Sequence, residues 1–419
     1  NTNQTGAGRI NFGQKPFKFP PPDGFQPLNA ANVRPETVIS RPDQYVGVIT
    51  YSGNSGTQVV SFGSTMNFDS NPDLVWIKAT NQTDGHMLFD TVRGVENALK
   101  SNNANDAVTE SDSLTNFGRN SITLGNNSSA AQTNQSGFDY VAWCWKAGGE
   151  PTATNTQSSG AMTANSVSVD GVLQSAYTPS GSPTIYPKKM SVGTKQGFSI
   201  VQYEGNDTSG ATLPHGLSQA PDVFITKADY DNREWQMYHK SLGNQQPIRL
   251  NTNQVPQSAH ASYFNNTSPT ADVVTFGNGG DANQGGETTL TYVMYAWHDV
   301  PGLQKFGEYQ GNGSADGPYV ELGFRPAVVI VKYAATSGSA NWYMYDSERG
   351  KFNPNDASIM PNEATGEQNS YDIDFLSNGF KLKYADESGY TNLDDSKYIY
   401  LAWAEAPAIN LYGAQSNAR

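Results

Sequence analysis

Apolar residues along this chain come in short runs of strand length separated by clusters of Gly, Asn, Ser, Thr and Asp, and helix-period patterns are scarce. Runs rich in Val, Ile, Tyr and Trp between turn-forming residues predict β-strands, and a chain built of them predicts sandwiches or barrels. The clearest run, Phe324-Arg325-Pro326-Ala327-Val328-Val329-Ile330-Val331-Lys332, is followed by Trp342-Tyr343-Met344-Tyr345-Asp346 and, much later, by Tyr398-Ile399-Tyr400-Leu401-Ala402-Trp403. The same pieces occur twice before, in the same order. Pro and Lys bracket five residues at Pro72 and Lys78, Pro221 and Lys227, and Pro326 and Lys332. An aromatic-rich run follows at His86 to Asp90, Trp235 to His239 and Trp342 to Asp346, and a closing run ends at Trp145, Trp297 and Trp403. Tyr-x-Gly-Asn stands upstream at Tyr51, Tyr203 and Tyr309. Four landmarks in fixed order at three places make a tandem repeat.

Proline and final tryptophan are 73, 76 and 77 positions apart, so the interior of the unit is nearly constant. With Tyr-x-Gly-Asn included, each copy has roughly a hundred residues, the size of a small domain expected to bury its own core. The expected organisation is an arm or the end of a preceding domain over 1–42, β-sandwich repeats over 43–150, 195–303 and 304–419, and a linker or strap over 151–194. That last stretch is dominated by Gly, Ser, Thr, Ala and Pro and is too polar to fold alone, so it predicts a connector or a strap lying on another chain. Ser101 to Asn120 reads as a polar surface loop.

Alternation splits each closing run into two rows. One holds Val141, Trp143, Trp145; Val293, Tyr295, Trp297; Ile399, Leu401, Trp403, and is expected to face the core. The other holds Tyr140, Ala142, Cys144; Tyr292, Met294, Ala296; Tyr398, Tyr400, Ala402, and ends small each time. Cys144 thus occupies a column that wants a small residue, not a thiolate. As the one cysteine of the chain it also excludes an intrachain disulfide.

A formal net charge of −13 argues against a nucleic-acid partner, and no apolar run approaches the length of a membrane span. Candidate chemistry is sparse. Asp90-Thr91-Val92-Arg93-Gly94 and Asp346-Ser347-Glu348-Arg349-Gly350 share Asp-x-x-Arg-Gly, but the second repeat has His239-Lys240-Ser241-Leu242-Gly243 there. A turn capped by the aspartate and closed by a glycine of positive φ accounts for all copies. His86, standing where Trp235 and Trp342 stand, is read as filling space, and no histidine spacing suits a metal. The carboxylates of Asp229 to Glu234 lack the glycine and terminal glutamate of a calcium loop. No catalytic constellation, metal site or cofactor is nominated, and the expectation is a protein that is not an enzyme. Tyr, Trp, Asn and Gln on a β framework, with 22 tyrosines, suit sugar recognition and protein interfaces alike.

The combination of Tyr-x-Gly-Asn, Pro72 to Lys78, Leu88 to Gly94 and Tyr140 to Gly149 resembles the repeated β domain of virion structural proteins from tailed phages, marine and cyanobacterial ones especially. Lys305 to Gly313, Gly323 to Pro326, Leu376 to Leu382, Ala404 to Pro407 and the ending Ser416 to Arg419 are similar to its C-terminal copy. Asn11 to Phe17 and Pro20 to Gly24 resemble the end of a SPRY-type sandwich, which would continue the polypeptide upstream; a plain extended arm is the alternative. The resemblance implies an all-β chain of three sandwiches of jelly-roll or concanavalin-like kind on the surface of an extracellular particle. It implies a tail-fibre- or spike-type appendage contributing to host adhesion, or else a capsid-decorating or assembly protein. Expected partners are other virion proteins, further copies of the chain as a trimer, and a host-surface glycan or protein. The residues expected to touch a ligand are Tyr371 and Tyr390, with Trp342 and Tyr343 beside them and Trp342 partly in the core.

Overall fold

A computed structural model describes residues 39–407 except 64, 127–132, 259 and 286–289. The expected SPRY-like end and the tail past 407 lie outside the described residues; of the arm over 1–42, only Ile39 to Pro42 are described. The described chain is nearly all β, as expected.

Each repeat carries the same four-stranded antiparallel unit. In the first, the opening strand Val46–Ser52 pairs with the closing strand Asp139–Trp145, which pairs with the proline strand Leu74–Ala79 and that with the aromatic strand Met87–Asp90. In the second the order is Phe198–Glu204, Thr291–Trp297, Val223–Ala228, Gln236–His239; in the third, Gln304–Gln310, Lys397–Pro407, Phe324–Tyr333, Trp342–Asp346. Registers coincide. Val46, Phe198 and Gln304 face the three closing tryptophans across one side, and Leu74, Val223 and Val328 face them across the other. An outer sheet covers each unit, three-stranded in the first repeat, two-stranded in the second and four-stranded in the third.

The inner sheets are buried on both faces, and this changes the meaning of the two rows. The row ending small forms each repeat's private core against its outer sheet: Tyr140, Ala142 and Cys144 in the first, Tyr292, Met294 and Ala296 in the second, Tyr398, Tyr400 and Ala402 in the third. The large apolar row does not face an outer sheet. Val141, Trp143, Trp145, Val293, Tyr295, Trp297, Ile399, Leu401 and Trp403 belong to one continuous cluster drawn from all three repeats. The inner sheets therefore back onto a common core in a pseudo-threefold arrangement within one chain. The expectation that each copy buries a self-sufficient core is corrected accordingly: half of each inner sheet is buried only by its neighbours.

Trp403 lies edge-to-face against both Trp145 and Trp297, with ring centroids 5.3 and 6.0 Å away. Their indole nitrogens have no hydrogen-bond acceptor among the described residues, and the rings cross at 69° and 70°, edge to face. A cavity of about 30 Å³ remains among the shared-core side chains, room for about one water.

The polar stretch 151–194 is ordered on its own chain. Val167–Val169, Val172–Leu173 and Lys189–Gly193 continue the inner sheet of the second repeat past its opening strand. Met162, Val167, Ile185, Met190 and Val192 enter that repeat's private core. A few well-spaced apolar residues suffice because the sheet edge supplies the backbone partners that composition alone cannot reveal. The 101–120 stretch is likewise more than a surface loop. It holds Val108–Thr109 and Leu114–Gly118, and the buried Ser101 donates from Oγ to the Pro361 carbonyl of the third repeat at 2.7 Å.

Candidate functional site

The charged side chains that sequence singled out converge where repeats meet. In the first repeat Asp90 accepts the backbone N–H of Val92 and Arg93 on Oδ1 at 3.1 and 2.9 Å and the Arg93 Nε on Oδ2 at 2.7 Å. Asp346 and Arg349 repeat this in the third, at 3.1, 2.8 and 2.6 Å. The turn reading is right, with one correction: the φ at Gly94 and Gly243 is positive, but Gly350 is needed because a Cβ there would lie 1.9 Å from the Asn355 side chain.

Each turn also reaches the next closing strand. Tyr295 of the second repeat donates its hydroxyl to Asp90 Oδ2 at 2.7 Å, Trp143 of the first donates to Asp346 Oδ2 at 3.1 Å, and His239 of the second lies with Nε2 3.3 Å from the Tyr400 carbonyl of the third. The three contacts form a closed cycle. Burial pulls the Arg93 guanidinium down, yet Asp90, Tyr295 and Asp229 outweigh it and its pKa ends raised. The arginine is a fixed cation, not a proton donor.

A second cycle runs through the position shared by His86, Trp235 and Trp342. Their ring nitrogens reach the Met360, Lys100 and Arg249 carbonyls of the preceding repeat at 3.1, 2.9 and 3.0 Å. His86 is therefore more than filler. Its Nδ1 accepts the Trp76 indole N–H at 2.8 Å, which leaves Nε2 to carry the proton. Burial, with Lys78 adding to it, holds this ring down to about 3, and burial does the same for His239. The lysines that end the proline strands are buried too, donating to backbone carbonyls, and burial lowers Lys78 and Lys227 to about 8 and Lys332 to about 7. Asp229 to Glu234 is an interface loop: the Asp229 carbonyl accepts the Ala107 N–H at 2.6 Å and the Asn232 N–H reaches Asp106. Among the described residues no group of carboxylates, histidines and cysteine is placed to hold a metal.

The expected ligand-touching residues divide. Trp342 is fully buried with its face in the shared core, not partly exposed, and Tyr343 is buried on the opposite face, as alternation along one strand requires. Tyr371 and Tyr390 are half-buried with centroids 4.4 Å apart, and Tyr343 and Tyr384 lie 4.9 and 5.0 Å from Tyr371. These four rings form one cluster where the inner and outer layers of the third repeat meet. Tyr371 sits at φ 66°, a conformation that strains a bulky side chain by roughly 1–3 kcal/mol, and its carbonyl accepts the Tyr345 hydroxyl at 2.7 Å. The strand bulges there, and sequence gave no sign of it.

A fifth repeated landmark also escaped the sequence reading. Buried Asn134, Asn283 and Asn392 each accept, on Oδ1, the backbone N–H of Asn54, Asn206 and Asn312 in Tyr-x-Gly-Asn, at 3.0, 2.8 and 3.0 Å. In the first and third repeats these asparagines stand 80 positions past the Asn of Tyr-x-Gly-Asn, but the second breaks the interval at 77, so the spacing recurs in two copies and not in all three.

A family model described as Domain of unknown function (DUF7483) matches residues 41–184 and again 174–407. No curated protein and no solved structure matches the chain.

Proposed function

Starting from the membership of this chain in the DUF7483 family, a domain of unknown function, we propose that it is a non-enzymatic structural protein of a tailed-phage particle, a tail-fibre- or spike-type appendage contributing to adhesion at the host surface. The observation that carries the reading is the fate of the chemically capable side chains. Asp90, Arg93, His86, His239, Asp346 and Trp143 are all buried and bonded across repeats, so they hold a rigid frame together. The resemblance of the repeated motifs to phage virion domains supports the same reading. In this role the half-buried rings Tyr371 and Tyr390 offer an aromatic platform to a receptor on the outer layer, where stacking on a sugar face or a protein side chain needs no turnover. Other virion proteins hold the appendage on the particle.

Immunogold labelling of intact particles with antibody raised against 304–419 tests this. Label on the tail supports the appendage. Label over the capsid replaces it with a decorating role, and unlabelled particles remove the virion assignment.

A further inference from the structure

Among the described residues the stretch over 151–194 has no counterpart in the first and third repeats, and where it crosses the second it leaves a groove of about 350 Å³. Asn155 to Ser158, Thr184 to Tyr186 and Lys188 wall it, and Glu204 to Asn206, at the end of the opening strand, line the opposite side. That volume lies in the range of small-ligand sites, about 300–1,000 Å³.

The walls are preorganised. Asn155 is 2% exposed, and its amide donates to the Gln157 and Pro187 carbonyls at 3.0 and 2.9 Å while Oδ1 accepts the N–H of Gln157 and Thr163, both at 3.0 Å. The N–H groups of Thr184 and Ile185 share the Thr212 carbonyl, and Lys188 N–H reaches the Gln202 carbonyl at 2.7 Å. The backbone of both walls and the Asn155 side chain are already ordered when a ligand arrives, which lowers one usual penalty of binding.

The lining is chemically mixed in a particular way. Tyr186 is half-buried and packs against the private core of the second repeat, so its ring is fixed in place. Around it stand hydroxyls and the amide of Gln157, and Lys188 pairs with Glu204 at 2.8 Å, both partly open to solvent. One ring, several hydrogen-bonding groups and a charge pair that cancels itself match a ligand with a hydrophobic face, many hydroxyls and no charge. The overall charge of −13 further disfavours anionic ligands.

We propose that this groove binds the neutral hexopyranose end of a surface glycan. The proposal rests on the adhesion reading but assigns it a second site, apart from the tyrosine cluster. Saturation-transfer NMR of the full chain with the methyl glycosides of glucose, galactose, mannose and N-acetylglucosamine tests it, with sialyllactose as the anionic comparison. At least one neutral glycoside should bind, at least tenfold more weakly to the Gln157→Ala/Glu204→Gln double variant, whose exposed positions leave the melting temperature in place. Gln157→Ala alone is the milder check should the double variant melt early. Absence of binding by every neutral glycoside, binding unchanged in both variants, or preference for sialyllactose overturns the groove. If the purified chain blocks particle adsorption while no glycoside binds, adhesion stands and the groove falls. If a glycoside binds the groove and adsorption is untouched, the reverse holds.

Discussion

Trp143 in the first repeat hands its indole N–H to the Asp346 carboxylate of the third, 203 positions away, at 3.1 Å. Arg349 lies over the same indole at 5.6 Å while bonding the same carboxylate, so one buried aspartate ties its own turn, its own arginine and another repeat's closing strand.

Removing that carboxylate should be felt at long range. Asp346→Ala leaves an indole N–H without its acceptor and a nearly buried guanidinium with only Glu367 and the Met344 carbonyl, and should destabilise the chain by about 2–4 kcal/mol. Denaturant unfolding reads this directly. A loss below about 1 kcal/mol would mean the cycle of contacts is ornamental.

The shared core predicts that repeats do not survive alone. A fragment of 43–150 would leave Leu74, Trp76, Val141, Trp143 and Trp145 facing water on a sheet built to be covered twice. It should aggregate or bind hydrophobic dye, whereas 39–407 should unfold in one cooperative transition by circular dichroism and fluorescence together.

Acid should weaken the fold through its histidines. His86 and His239 sit near 3 in the fold against 6.5 when free, so the unfolded chain binds more protons between those values. Their stabilisation is complete above 6.5 and is lost as pH falls towards 3, at about 1.4 kcal/mol per pH unit for each ring well below 6.5. Burial raises Asp73 and Asp299, which pull the other way in acid, so imidazole NMR is the cleaner readout. Both rings should stay neutral at pH values where free histidine is charged.

The glycine of Tyr-x-Gly-Asn should resist substitution at all three places. A Cβ on Gly53, Gly205 or Gly311 would lie 2.2 Å from the carbonyl oxygen of Gln135, Gln284 or Leu393, and backbone cannot swing aside like a side chain. Alanine at any one should cost about 1–3 kcal/mol, seen as a lowered urea midpoint with an unchanged slope.

Cys144 should be silent to thiol reagents in the folded chain and react once after guanidinium unfolding, because the thiol is buried and burial pushes its pKa up. Cys144→Ala, which copies Ala296 and Ala402, should cost about 1 kcal/mol.

The strand pattern, the repeat and the equivalence of Trp145, Trp297 and Trp403 were legible in the sequence, because backbone pairing and alternation leave a local periodic trace. What the large apolar row packs against was not. A sheet covered by an outer layer and a sheet covered by two sister sheets read the same along one strand, since both demand Val, Leu and Trp. The partners of Asp90, His86 and Trp342 were hidden for a related reason: each lies in another repeat, and their bonds end on a tyrosine hydroxyl or a backbone carbonyl. Of the aromatic residues read as ligand-facing, alternation alone would have buried one of Trp342 and Tyr343 on each face; the clustering of Tyr371 and Tyr390 with Tyr384 needs the bulge, which no residue type announces.

Carrying all three sheets on one polypeptide makes closure of the axial core a unimolecular event, indifferent to dilution, where three separate chains would depend on their concentration. It also frees the copies to diverge. Among the described residues the segment of 151–194 decorates one flank only, so the groove that it walls has no copy on the other repeats, and the tyrosine cluster likewise occurs once. Strong attachment to a cell would then come from the number of molecules displayed on a particle, each contributing weak grips.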